Sequence, residues 1–309
     1  MEQTFLIRPY LYKNYFQLQS ILSKLVSPRS THSFLPQKIV LHLKEPDLLN
    51  KKTRELNDSI VYAKRIQDGM MLKEKHLNRL FSESFLLFKP KDIVSGDFYW
   101  FTKIENKIIV AIADCTGHGI PGAFMSVLGI SLLNQIVIEE GNTDTALILQ
   151  RLDHKLKKAF GYSNDYYDEE RHTYDGMDIA LCCIDTELKE VQFSGAFRPL
   201  YHISKGNFNE IKGSRYPIGG LYIENDKSYK SQTINYETGD KVYLCSDGFS
   251  DQFGGFMDKK FMVNAFKKSL IKTSKLSMTT QQLELERLLN EWKNNHEQTD
   301  DILIMGFQL

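Results

Sequence analysis

Residues 112–124 read IADCTGHGIPGAF. Asp114 closes the apolar run KIIVAIA, and Gly117, Gly119 and Gly122 follow, with His118 between the first two. Glycine admits positive φ at a tight turn, and Pro121 suits the first turn of a helix. The stretch therefore predicts a buried strand that delivers a carboxylate at its exit, a sharp turn, and a helix leaving at once. The continuation to Ile138, IPGAFMSVLGISLLNQIVI, is long enough for a bilayer. Ser126, Ser131, Asn134 and Gln135 interrupt it, so a helix packed on a sheet is predicted instead.

Three other places share this design. Asp97 stands at a strand start in VSGDFYW, Asp247 at a strand exit in LCSDGFSD, and Asp300 with Asp301 before the last strand in QTDDILIM. Any one of them reads as a turn, since Asp and Gly both favour turn geometry. Their joint occurrence beside strongly apolar strands argues for more. Carboxylates brought together repel unless they are protonated or bound to cations. Oxygen-only ligation suits Mg²⁺ or Mn²⁺. Two such ions roughly 3.5–4 Å apart can share a water and aim it at phosphorus, which favours phosphate-ester hydrolysis. In that arrangement Asp114 supplies a carboxylate and the Cys115 carbonyl a backbone oxygen. His118 is either a general acid for the leaving oxygen or a brace for the loop.

Around these sites, short β-rich runs alternate with helical blocks near 120–139, 143–160, 258–272 and 279–295. Hairpin-length gaps with helices inserted in blocks predict an α+β fold with largely antiparallel sheets. Upstream, residues 51–80 lack proline and set Leu56, Ile60, Ala63, Ile66 or Gln67, and Met70 at helical steps. That stripe predicts a helix, either packed on its own domain or serving as a signalling or dimerising linker. The expected organisation is a short extension over 1–50 with no assignable fold, a linker helix over 51–82, and a catalytic domain over 83–309.

The 309 residues carry 39 basic and 39 acidic side chains. Zero net charge gives no ground for a nucleic-acid polyanion or an anionic membrane as main partner. Cys115, Cys182, Cys183 and Cys245 lie in or at the end of apolar stretches, two of them adjacent, which suits reduced thiols in a cytoplasmic protein. MEQTFLIRPYLYKNYF mixes charge and aromatics, unlike a secretory leader.

At KPKDIVSGDFYWF, VAIADCTGHGIPGAFMSVLG, YLCSDGFSDQFGG and TDDILIM, in that order over about residues 85–309, the chain resembles the PPM metal-dependent serine/threonine phosphatases. The branch is the bacterial SpoIIE type, related to protein phosphatase 2C. The resemblance implies an αββα sandwich with two Mn²⁺ or Mg²⁺ ions between the sheets, held by Asp97, Asp114, the Cys115 carbonyl, Asp247 and Asp300. It implies in-line attack of a metal-bound hydroxide on phosphoserine or phosphothreonine, with no covalent phosphoenzyme. The implied substrate is a phosphorylated protein, such as an anti-sigma-factor antagonist, and the helix over 51–80 is a candidate homodimer contact. SGAFRPL departs from the branch's Ala-Gly-His-x-Pro-Pro segment, with Ala196 in place of histidine. Arg198, close by, reads as an ordinary solvated arginine before a phosphate ligand. The polar stretch 161–178 reads as a flap or a solvated loop, with Asp175 or Asp178 near a third ion in the former case.

Rival chemistries fare worse. A cysteine phosphatase needs arginine six residues after its nucleophile, and those positions hold Pro121, Leu188, Lys189 and Asp251. Walker loops, Gly-x-Ser-x-Gly elbows and His-Glu-x-x-His pairs are absent from the sequence. The non-enzymatic alternative is a catalytically silent module that binds a phosphoprotein or acts through its helix.

Overall fold

A computed structural model describes residues 37–161, 175–220 and 227–309, with side chains from residue 48 onward. The chain divides into two compact units, Met1–Glu55 and Leu56–Leu309. In chain order the helices are α1 (Gln37–Met70), α2 (Glu74–Leu77), α3 (Gly119–Leu133, continued by a π-helical turn Asn134–Glu139), α4 (Thr145–Ala159), α5 (Gly248–Asp251), α6 (Val263–Thr273) and α7 (Met278–Lys293). The strands are β1 (Ser84–Lys89), β2 (Phe98–Ile104), β3 (Lys107–Cys115), β4 (Gly176–Asp185), β5 (Glu190–Ala196), β6 (Leu200–Ser204), β7 (Asn207–Ile211), β8 (Ile218–Gly219), β9 (Gln232–Asn235), β10 (Lys241–Cys245), β11 (Phe253–Gly254), β12 (Lys259–Lys260) and β13 (Ile302–Gln308).

Two large antiparallel sheets and a two-stranded ribbon, β11-β12, belong to the second unit. One runs β1-β13-β10-β6-β7; the other runs β2-β3-β4-β5-β9, with β8 added against β4. Alternation along the strands explains the layering, because successive side chains point to opposite faces. From β13, Leu303, Met305 and Phe307 enter one apolar cluster, shared with the other sheet and with α3 and α4; Ile302 and Ile304 enter a second, shared with α6 and α7. β10 divides likewise, Val242 and Leu244 from Tyr243 and Cys245. With both faces covered, Ile108–Ala113 is buried without a break, which is why β3 reads as a continuous apolar run. The α+β fold with antiparallel sheets read from the sequence, and the αββα sandwich implied by the resemblance, are the architecture observed.

Helix α3 with its π-helical turn is, among the described residues, the one helix long and apolar enough to cross a membrane, and 56% of its apolar window is buried inside the domain. Gly129 lets it approach β2, since a Cβ there would stand 2.8 Å from the Phe98 ring. Its role in this fold is to cover a sheet.

The linker helix departs from its expected bounds. It begins at Gln37, not near Lys51, and ends at Met70, one residue past the poor helix former Gly69; residues 71–82 hold only the separate turn α2. The expected extension over 1–50 thus contributes residues 37–50 to this helix, Pro46 included, and its first 36 residues lie outside the described ones. Leu56, Ile60, Ala63 and Ile66 line an apolar groove of about 310 Å³ with Ile120 and Phe124 of α3. Leu56 and Ile66 remain exposed along it.

Candidate active site

Antiparallel pairing decides which strand ends meet. Phe98 at the start of β2 pairs with Ala113 near the end of β3, and Asp114 pairs with Asp178 near the start of β4. In the other sheet Cys245, ending β10, pairs with Ile304, near the start of β13. Asp97, Asp114 and Asp178 therefore gather at one end of one sheet, and Asp247 and Asp300 come from the ends of β10 and β13 in the other. Asp114, Cys115, His118, Asp178, Asp247 and Asp300 line a common pocket of about 280 Å³.

Glycines shape the turn beneath it. Gly117 and Gly119 have φ of +83° and +68°, the left-handed region that favours glycine. Gly96 and Gly122 close on the same turn, where an added Cβ would stand 2.5 and 2.3 Å from the Gly117 carbonyl oxygen. The stretch 112–124 thus needs glycine for two reasons: a backbone conformation at Gly117 and Gly119, and close packing at Gly122.

Asp97 does not line this pocket; it is buried, and its Oδ2 has no hydrogen-bond partner. Burial first, then the charge of Asp114, raises its pKa well above the usual carboxylate range. For Asp114, burial pushes the pKa up to about 7; Arg198 opposes the rise, while Asp247, Asp300 and Asp178 add to it. Burial raises Asp178 and Asp300 as well. Asp301 does different work from its neighbour: its Oδ1 accepts from Lys91 N at 2.7 Å and its Oδ2 from Gly96 N at 2.8 Å. It clamps the segment that carries Asp97.

The structure thus brings Asp114, Cys115, His118, Asp247 and Asp300 to one pocket and sets Asp97 within electrostatic reach of Asp114 and Asp300. His118 Nδ1 meets Asp92 Oδ2 at 2.8 Å, both side chains about half exposed. Three features escaped the sequence reading. Asp178, expected at the end of the polar loop and near a third ion if that loop is a flap, lies in strand β4, and its pairing with Asp114 is what the sequence did not show; of the loop, 162–174 lie outside the described residues. Asp92 is the partner of His118. Arg198, expected in solvent, is only 16% exposed, and its Nη2 contacts Asp114, Asp178 and Asp247.

Among the described residues no group of three His, Cys, Asp or Glu side chains stands close enough to hold an ion as the side chains are placed. Instead, the Arg198 guanidinium fills the space between the acids. Yet the buried Asp97 Oδ2 has no hydrogen-bond partner, and Asp114 stays raised even beside Arg198, as clustered oxygen ligands do that a cation would neutralise. By chemistry the residues fit Mg²⁺ or Mn²⁺.

Two antiparallel sheets between helical layers, with acids from both sheets meeting at one end, define an αββα domain of the protein phosphatase 2C type. The family model described as stage II sporulation protein E (SpoIIE) matches residues 104–309, and the chain belongs to that family. The SiaA-PP2C domain of Pseudomonas aeruginosa is similar in structure, with a TM-score of 0.74 and 28% identity, over 84% of this chain and 98% of that one. The PP2C phosphatase domain of SpoIIE from Bacillus subtilis, with a fragment of its regulatory domain, shares the fold at a TM-score of 0.57 and 20% identity, over 74% of this chain and 63% of that one. Phosphoserine phosphatase RsbU of Bacillus subtilis (strain 168) is 26% identical over 178 residues, which are 55% of this chain and 48% of that protein. The chain spans about half the length of that curated relative.

Proposed function

We propose that this chain is a metal-dependent protein serine/threonine phosphatase acting on phosphoserine or phosphothreonine in bacterial signalling. The observation that carries the reading is the meeting of Asp114, Asp178, Asp247 and Asp300 in one pocket, drawn from both sheets, with buried Asp97 within electrostatic reach of Asp114 and Asp300. Asp97, Asp114, the Cys115 carbonyl, Asp247 and Asp300 would hold two Mn²⁺ or Mg²⁺ ions. Such ions supply electrophilic activation of a phosphoryl group and of the water that attacks it in line.

The chain's own residues prepare that chemistry. Asp301 fixes the turn before Asp97, so this buried carboxylate is held in place before any ligand arrives. Thr116, through its N–H and hydroxyl, ties the end of β3 to the Gly176 carbonyl and so keeps Asp114 beside Asp178. Asp92 steadies His118 at the rim, where we read the imidazole as a brace for the glycine turn.

Kinship with RsbU supports a small serine-phosphorylated protein of the anti-sigma-factor-antagonist kind as substrate, met in the cytoplasm. The partly exposed stripe of α1 supports contact with a second copy of the chain, and deleting residues 1–82 should then change oligomeric state or specific activity. The test of the enzyme itself is hydrolysis of a small chromogenic phosphate with Mn²⁺ by the wild type and by Asp114→Asn. Loss of activity in the variant is expected. Equal rates would leave the silent phosphoprotein-binding module as the better account.

A further inference from the structure

Arg198 stands among the acids that the proposed function assigns to cations. Its Nη2 lies 2.6 Å from Asp247 Oδ2, 2.8 Å from Asp114 Oδ2 and 3.2 Å from Asp178 Oδ2. We propose that the Arg198 guanidinium is the resident countercharge of the cation-free site, and that divalent cations bind by displacing it from Asp114, Asp178 and Asp247. The inference rests on the cation-site reading and adds a competitor to it.

The need for a positive charge follows from register. Asp114 and Asp178 face each other across β3 and β4, and like charges directly opposite on neighbouring strands destabilise the pair. The guanidinium bridges them and reaches across to Asp247 in the other sheet.

The way it is held makes it displaceable. All three carboxylates grip one nitrogen, Nη2, while Nε is buried without a partner. That is not the two-pronged fork that makes arginine–carboxylate pairs strong, and a buried donor left unmet is unfavourable. A cation and Nη2 would also compete for the same oxygens. The guanidinium has somewhere to go, since Arg198 also lines an adjoining pocket of about 290 Å³ with Tyr201, Glu210 and Ser214.

The backbone does not depend on this side chain. Phe197 N donates to Ser214 O at 2.8 Å, and the Arg198 carbonyl packs where Cβ atoms on Gly195 and Gly213 would stand only 2.2 and 2.8 Å away. Replacing the side chain should leave the turn between β5 and β6 in place.

The experiment is Mn²⁺ titration by calorimetry on the full chain, freed of metal, as wild type, Arg198→Met and Arg198→Lys. An occupied site lowers apparent affinity by the fraction of molecules in which it is open. Arg198→Met should therefore bind Mn²⁺ at least about tenfold tighter than the wild type. Its metal-free Tm should fall and its gain in Tm on adding Mn²⁺ should exceed the wild type's. Arg198→Lys, which keeps the charge without the fork, should fall between the two, and it carries the test if metal-free Arg198→Met does not fold. Mn²⁺ affinity in both variants equal to or weaker than wild type overturns the competition while leaving the cation site intact. Absence of Mn²⁺ binding in all three proteins overturns the cation site and the competition with it.

Discussion

Gln67 Nε2 donates to the Ser126 hydroxyl at 2.8 Å, joining α1 to α3 inside the domain. The same amide donates to Ser95 O at 2.7 Å, and its Oε1 accepts from Ser95 N at 3.1 Å. One buried side chain from the linker helix thus satisfies both backbone groups of a residue two positions before Asp97. Replacing it by Leu removes both partners and leaves the Ser95 N–H without one. Gln67→Leu is expected to destabilise the domain by about 1–3 kcal/mol. Urea unfolding measures this, and an unchanged midpoint would show that the link carries no stability.

The adjacent acids at the start of β13 should separate cleanly. Asp301→Ala loses two short hydrogen bonds to Lys91 N and Gly96 N and should cost about 3–5 kcal/mol of stability. Asp300→Asn should unfold close to wild type yet lose Mn²⁺-supported phosphatase activity by at least about 100-fold. Paired denaturation curves and rates decide it; the reverse pattern would exchange the two roles.

The stability of the metal-free protein should carry the mark of Asp114. Its folded pKa is raised from 3.8 to about 7, so between those values the folded state holds a proton that the unfolded chain has released. This group's contribution to stability is therefore full below pH 3.8 and is lost as pH rises toward 7. Relative to Asp114→Asn, the wild type in EDTA should lose Tm across that interval. A difference that stays flat or grows with pH would contradict the burial argument.

His118 pairs with Asp92 in solvent-exposed surroundings, a contact worth about 0–1 kcal/mol. As a brace, His118→Gln should lower kcat by less than about tenfold, whereas loss of a general acid typically costs about 10²–10⁴. The pH–rate profile distinguishes the cases: loss of its alkaline limb in the variant would restore the acid assignment.

Gly122→Ala tests the packing under the glycine turn. Its Cβ would stand 2.3 Å from the Gly117 carbonyl oxygen and 2.8 Å from Gly96 Cα, both backbone atoms that cannot rotate away. The cost should be about 1–3 kcal/mol or more, measured by denaturant unfolding. A neutral substitution would show that the turn can yield.

The sequence by itself determined the strand, turn and helix of residues 112–124, the alternating apolar strands that make two covered sheets, and the strand-end positions of Asp97, Asp114, Asp247 and Asp300. These are local: a carboxylate after an apolar run, and glycine where φ must be positive, can be read from neighbours alone. The tertiary structure decided what those residues meet. Asp178 became the partner of Asp114 through strand register, which a long polar loop before β4 concealed. Asp301 became a clamp because Lys91 and Gly96, far earlier in the chain, present their amides to it. Arg198, which looks like any solvent arginine in SGAFRPL, was drawn in by acids from both sheets. Electrostatic surroundings are set by what converges in space, and no window of sequence contains them.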